Sequence, residues 1–208
     1  MPEQFSLDLS PAKKSAPRVL YFDLETKKSA GEVGGWGNIN KMGMACAVLY
    51  DTLDEAYHVY DEKDVQDLIT HLQKADLIVG FNHIRFDYTV LNGYSSTRFS
   101  DLPNLDMLVE VEKIIGHRLK LNSLVASTLG ETKSADGLQS LQWVKEGKMD
   151  LVREYCKKDV EVTRNLFEHG AREGFVCYEK MGDRVKIPVQ WNTDQLIRAQ
   201  KERGSTSP

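Results

Sequence analysis

The sequence predicts an α/β layered domain: a mixed β-sheet, three antiparallel strands and then parallel ones, flanked by helices. Three observations predict it. An apolar, β-rich run opens the body of the chain. Two more such runs follow, separated by a short polar turn. The second half is written almost wholly in helical spacing.

Val19–Glu25 (Val-Leu-Tyr-Phe-Asp-Leu-Glu) is rich in β-branched, aromatic and apolar residues and reads as a strand. Met42–Tyr50 is a second apolar strand, Asp51–Asp54 a turn, and Glu55–Tyr60 the returning third, together an antiparallel meander. Val65, Leu68, Ile69 and Leu72 recur at helical spacing and predict a helix over Val65–Leu72. Leu77–Phe81 is a short buried strand, expected to run parallel to the first. Met107–Ile115, Leu121–Leu129 and Leu138–Lys145 read as helices. Asp150–Gly170 is a long helix with Gly170 as its C-cap, and Phe175–Tyr178 with Val185–Val189 make a closing hairpin. Residues 1–17 are a polar, flexible lead-in, residues 18–191 form one domain, and residues 192–208 are a frayed tail.

The chain has 208 residues, 41% of them hydrophobic, with a mean hydropathy of −0.43. That suits one soluble globular domain and excludes a membrane span, since no apolar run approaches the needed length. The N-terminus lacks the apolar stretch of a secretory signal. Cys46, Cys156 and Cys177 are widely spaced and form no CxxC pair, which points to a reducing cytoplasm, and no cysteine–histidine cluster has zinc spacing. Charge is unevenly spread. Residues 19–112 hold 7 Lys+Arg against 16 Asp+Glu, whereas residues 113–186 hold 14 against 11. An acidic half beside a mildly basic half suits a metal site facing a polyanion groove; ordinary surface variation gives the same pattern.

Three short motifs carry the chemistry. In Phe22-Asp23-Leu24-Glu25, strand geometry sends Asp23 and Glu25 to one face and Phe22 and Leu24 to the other. Two adjacent carboxylates repel, and a hard divalent cation relieves that conflict; two solvated acids at a strand end are the plainer reading. In Gly80-Phe81-Asn82-His83-Ile84-Arg85-Phe86-Asp87, a buried strand runs through a polar turn into a helix start. Asp87 falls in the first helical turn, either as a ligand or as an ordinary N-terminal acid. In Tyr155-Cys156-Lys157-Lys158-Asp159, Tyr155 and Asp159 share a helix face, so the phenol can orient a water beside the carboxylate; a half-buried tyrosine beside a surface aspartate is the plainer reading.

Taken together and in this order, Asp-x-Glu, Asn-x-x-x-Phe-Asp and Tyr-x-x-x-Asp resemble the DEDD exonuclease superfamily in its tyrosine subclass. The sister subclass has histidine five residues before the last aspartate, where this chain has Glu154. A closer resemblance is to bacterial ribonuclease-H-like domains of the YprB type, often found beside helicases. It rests on Gly34-Gly35-Trp36-Gly37, Lys41-Met42-Gly43-Met44-Ala45, Gly116-His117-Arg118-Leu119 and Lys133-Ser134-Ala135-Asp136-Gly137. The resemblance implies a ribonuclease-H-like fold and a two-ion centre of Mg²⁺ or Mn²⁺ held by Asp23, Glu25, Asp87 and Asp159, with Tyr155 positioning water. It implies 3′–5′ hydrolysis of single-stranded DNA or RNA and, for the closer group, a separate helicase partner.

Around that site, His117, Arg118, Lys120, Lys133, Lys145, Lys148, Lys157 and Lys158 are candidate phosphate contacts or merely solvated helix faces. Lys157 and Lys158 lie inside the third motif but point off the Tyr155/Asp159 face. The long glycine-bearing link Thr26–Asn40 starts directly after the strand acids, and its Trp36 is either a stacking platform for a base or a plug for the core. Asn82, His83 and Arg85 are candidate substrate contacts, with loop exposure explaining them as well. Asp106 reads as a helix cap or as an acid bordering the site, the cap being favoured, and Met42, Met44 and Met107 read as core filler. Two other functions share these residues: an endonuclease on a structured substrate, and a non-catalytic nucleic-acid-binding module.

Overall fold

The computed structural model describes residues 16–131 and 137–205. Most of the lead-in and Lys133-Ser134-Ala135-Asp136 therefore lie outside the described residues.

Strand β1 (Val19–Thr26) pairs antiparallel with β2 (Met44–Asp51), which pairs antiparallel with β3 (Ala56–Asp61). On its other side β1 pairs in parallel with β4 (Leu77–Gly80), and β4 in parallel with β5 (Asn104–Asp106), giving the order β3-β2-β1-β4-β5. The meander and the parallel fourth strand are as the sequence predicts. β5 is an addition: three residues are too few to show a period, and its pairing with β4 is non-local. β2 begins two residues later than expected because Met42 still belongs to the turn after the short 3₁₀ helix Trp36–Lys41, and Gly43 follows at φ +70°.

The pleat of β1 divides the core. Leu20, Phe22 and Leu24 enter one apolar cluster with helix α1 (Val65–Leu72) and the short α2 (Asp87–Leu91). Val19 and Tyr21 enter the other, with α3 (Met107–Ile115), α4 (Leu121–Leu129) and the 25-residue α6 (Met149–Glu173). Helix α5 (Gly137–Lys145) packs on α6. Met42, Met44 and Met107 are buried, as their core role requires. The closing hairpin is β6 (Phe175–Lys180) with β7 (Asp183–Pro188), a separate two-stranded sheet.

Two readings of the C-terminal third are corrected. Gly170 does not cap α6; the helix runs on to Glu173, and Gly174 at φ +75° supplies the left-handed cap. Gly170 instead lies under the ring of Trp191, where a Cβ would come within 2.3 Å of Cε3. Nor is the segment after Trp191 simply frayed: Thr193–Ser205 forms α7, with Ile197 buried and Gln200 Nε2 donating to the Asn104 carbonyl at 3.0 Å. Its polar composition hides this, since one buried isoleucine leaves little periodic signal.

Candidate active site

Parallel pairing of β1 with β4 involves only Val19, Tyr21 and the residue between them, after which β4 ends and the chain turns away. The carboxyl ends of β1, β4 and β5 thus open on one edge of the sheet, the usual place for a site in such an arrangement. Asp23 and Glu25 lie there on the face that meets α6, paired across to Val48 and Cys46, with a register shift between Glu25 and Thr26.

Helix α6 brings the third carboxylate. Its buried stripe contains Val152, Cys156, Asp159, Val160, Thr163 and Phe167. Asp159, only 7% exposed, is the acid on that stripe. Carboxylate oxygens of Asp23, Glu25 and Asp159 all lie within 4.8 Å of one another. Three acids from two elements converge here at a half-buried point, and an all-oxygen donor set of this kind fits a hard divalent cation.

Asp87 stands beside this group but outside it. Its side chain is buried, and Oδ1 accepts from the Leu24 backbone N–H at 3.0 Å, filling the edge position of β1 that β4 has vacated. Burial pushes its pKa up to about 7, opposed by the backbone N–H groups it accepts from and reinforced by Asp106. The carboxyl is therefore anchored to the β1 backbone at Leu24, the residue between Asp23 and Glu25.

Tyr155 is half-buried, hydrogen-bonded to Asp159, with its ring edge-on to Trp143 at 6.2 Å. Burial first, then the charges of Asp159, Glu25 and Asp23, hold its phenol well above the ordinary range, so it keeps its proton.

Two further residues shape the site: Cys156, for which the sequence suggested no role, and Asp106, expected chiefly as a cap. Cys156 Sγ lies 3.4 Å from the Asp23 carbonyl and 3.7 Å from Oδ2, behind the acid. Burial raises its thiol pKa well above normal, so it is a neutral donor. Its signal was available: three residues before Asp159, it shares that helix face. Asp106 is the expected N-cap of α3, accepting from Leu108 N at 3.1 Å and Val109 N at 3.4 Å. It also accepts from Asn82 N at 2.8 Å and Ile84 N at 3.2 Å, tying down the loop that delivers Asp87.

The expected substrate contacts separate into three groups. Trp36, Asn82, Arg85 and Arg118 come together, with Ile39 and Phe86, around one groove of about 280 Å³. Trp36 is 67% exposed, so it does not plug the core; its ring stands 6.4 Å from that of Phe86, next in sequence to Asp87. An Arg118 guanidinium N–H donates to Asn82 Oδ1, and another to Glu112 at 3.0 Å. His83, by contrast, is fully buried, so it is not a surface contact. Its Nε2 is 3.3 Å from Asn104 Oδ1 and its ring is edge-on to Tyr88. It folds back over Gly80, where a Cβ would come within 2.7 Å of Nδ1, and burial lowers its pKa. Lys157 and Lys158 turn away from the acids, the first over the Tyr57 ring and the second toward Glu161 at 3.1 Å.

A mixed five-stranded sheet, helices on both faces, and acids gathered at the carboxyl end of the first strand define a ribonuclease-H-like domain. The model of the RNase_H_2 family, described as RNase_H superfamily, matches residues 20–171, and the chain belongs to that family. No curated protein matches the chain. Among the described residues no helix is long and apolar enough to cross a membrane, and all three cysteines are free and buried.

Proposed function

We propose that the chain is a metal-dependent 3′–5′ exonuclease of single-stranded DNA or RNA. The observation that carries this reading is the convergence of Asp23, Glu25 and Asp159 within 4.8 Å, beside a buried Asp87 and an aromatic groove lined by two arginines.

Asp23, Glu25, Asp87 and Asp159 would hold the ions; two Mg²⁺ or Mn²⁺ ions bound there would supply acidification of water and neutralisation of the charge developing on the phosphate and the leaving 3′ oxygen. Tyr155, protonated and donating its hydroxyl hydrogen to Asp159, offers its oxygen as acceptor to the attacking water and so orients it. Cys156 holds the Asp23 carboxylate from behind. Trp36 and Phe86 offer a face to the terminal base, a contact that tolerates any sequence. Arg85 and Arg118 take the phosphates on the solvent side. The separate helicase partner enters through family resemblance alone and is not needed for this reading.

The test uses 5′-labelled single strands of DNA and RNA with Mg²⁺, Mn²⁺ or EDTA, comparing wild type with Asp23→Asn, Asp87→Asn and Trp36→Ala. The expected result is a ladder shortening from the 3′ end, lost in EDTA and in both acid variants. Trp36→Ala is expected to raise KM roughly 10-fold with kcat kept, as loss of one base–aromatic stack predicts. Cutting of a circular strand would replace the reading with an endonuclease. Tight binding without turnover would replace it with a binding module.

A further inference from the structure

At the opposite end of the β1–β2 pair lies a second cluster of different chemistry. β2 ends in Asp51, a fully buried acid paired to Leu20, three residues upstream of Asp23 along β1. Its Oδ1 accepts from Leu53 N at 2.9 Å. Its Oδ2 lies 2.8 Å from His71 Nε2 on α1 and 3.1 Å from Arg18 Nε. His58, on β3, stands alongside. Its ring centroid is 4.9 Å from that of His71, and its Nε2 is 2.9 Å from Asp54 Oδ2. Ligand atoms of Asp51, His58 and His71 all lie within 4.8 Å of one another.

We propose that Asp51, His58 and His71 form a second cation site, for a borderline divalent ion of the Zn²⁺ class, with Asp54 in reach as a fourth ligand. The donor set decides the class. Two imidazoles and a carboxylate suit Zn²⁺, whereas the all-oxygen cluster at Asp23 suits Mg²⁺. The outer contacts agree. Tyr60 Oη lies 2.7 Å from His71 Nδ1. Without an ion, His71 donates through Nε2 to Asp51 and its Nδ1 accepts from Tyr60. With Nε2 given to an ion, the proton sits on Nδ1 and the same hydroxyl accepts it, the outer-partner arrangement that metal-bound histidines use. The charge balance also permits it. Around this shallow cavity Asp51, Asp54 and Asp67 outnumber Arg18 and Lys74.

Tetrahedral bonds of about 2.0–2.2 Å place ligand atoms roughly 3.4 Å apart. Asp51 and His71, at 2.8 Å, are closer than that and need only part slightly to admit the ion. His58, with a side chain 32% exposed, has room to swing the remaining distance. Because His58 and Asp54 belong to the β2–β3 hairpin and His71 to α1, an ion there staples the edge strand to the helix covering it. Sequence spacing could not show this, since its ligands come from three elements.

The experiment uses the full chain carrying Asp23→Asn and Asp159→Asn, so that the all-oxygen cluster does not report. Zn²⁺ is titrated by calorimetry and thermal unfolding, and Co²⁺ by its visible absorption. One equivalent is expected, with a Tm rise of roughly 5–10 °C near a hundredfold excess over Kd. His58→Ala and His71→Ala should each abolish the Zn²⁺-dependent rise, and Tyr60→Phe should weaken Zn²⁺ affinity about 10–100-fold. In the chain with its acids intact, His58→Ala should leave Mg²⁺-dependent cleavage unchanged. A missing Zn²⁺-dependent rise, or one that persists in His58→Ala, would overturn the proposal. So would histidine variants that shift Tm with pH equally with and without Zn²⁺, which would make the cluster a protonation site only.

Discussion

Replacing Gly170 with alanine sets two known effects against each other at one position. In a helix interior, alanine is favoured over glycine by about 1 kcal/mol. Against that, a Cβ at Gly170 would sit 2.3 Å from Trp191 Cε3, 2.7 Å from Cζ3 and 3.1 Å from a Val189 methyl. The indole cannot yield cheaply. Trp191 is 2% exposed and stacks on Phe167, centroids 6.0 Å apart and planes 9° from parallel, and Phe167 in turn meets Tyr21 on β1 edge-on. Forcing a methyl into so closed a contact costs about 1–3 kcal/mol, and two ring atoms inside 3.0 Å put this case at the upper end. The net expectation is a loss of about 1–2 kcal/mol, read as a lower urea midpoint at unchanged slope. In a Trp191→Ala background only the 3.1 Å approach to the Val189 methyl remains, so the same substitution should change sign and stabilise by up to about 1 kcal/mol through helix propensity. Stabilisation by Gly170→Ala in the wild-type chain would refute the reasoning, because it would mean that the indole is free to move.

Two further outcomes follow from contacts at the site and beside it. Tyr155→Phe keeps the ring against Trp143 and removes only the hydroxyl bonded to Asp159. A hydrogen bond to a charged partner is worth about 1.5–3 kcal/mol, so kcat should fall roughly 10–150-fold with KM nearly unchanged; a KM effect alone would assign the tyrosine to binding. Glu62 accepts from Lys27 and, at 2.6 Å, from the Tyr94 hydroxyl, which itself accepts from Met44 N. Those bonds, Lys27 first, lower its pKa below 4.5. A lowered acid stabilises the fold above its unfolded pKa and loses that contribution as pH falls through the folded one. Glu62→Gln should thus be less stable than wild type at pH 7, by under about 1 kcal/mol because the pair is exposed, and the gap should close at acid pH once the carboxyl is protonated in both states. An equal gap at both pH values would show that the effect is packing rather than charge.

The sequence made the strand acids legible because a period of two needs no tertiary information. Asp23 and Glu25 had to share a face once Phe22 and Leu24 were core. Asp159 was legible for a related reason: four residues after Tyr155, it stays on that residue's helix face. What local pattern could not reach was anything decided by a distant partner. Gly170 and Gly174 are both plausible helix ends, and only Trp191 tells them apart. The buried ring of His83 depends on Asn104, Tyr88 and the missing side chain at Gly80, three separate points of the chain. Asp106 announced its cap by standing directly before the helical run that starts at Met107. Its grip on Asn82 and Ile84, more than twenty residues earlier, had no local signature.

The same topology explains why the acids gather where they do. β1 is paired on both sides for its first half, and its backbone is satisfied there by neighbouring strands. Past Tyr21, β4 departs, and the Leu24 N–H on that side is left without a strand to bond. An unpaired buried N–H costs about 1–3 kcal/mol, so some acceptor has to return to it. Asp87 supplies that acceptor, because the chain leaving β4 turns through Asn82 at φ +66° under the hold of Asp106 and restarts as α2 at that point. The side chain that repairs the sheet edge is thereby delivered, as a carboxylate, beside Asp23 and Glu25. Under the proposed function, a structural need and the assembly of the site are met by one residue. An asparagine at 87 can satisfy the first through its carbonyl oxygen and cannot supply the charge for the second, so the two roles are separable by experiment.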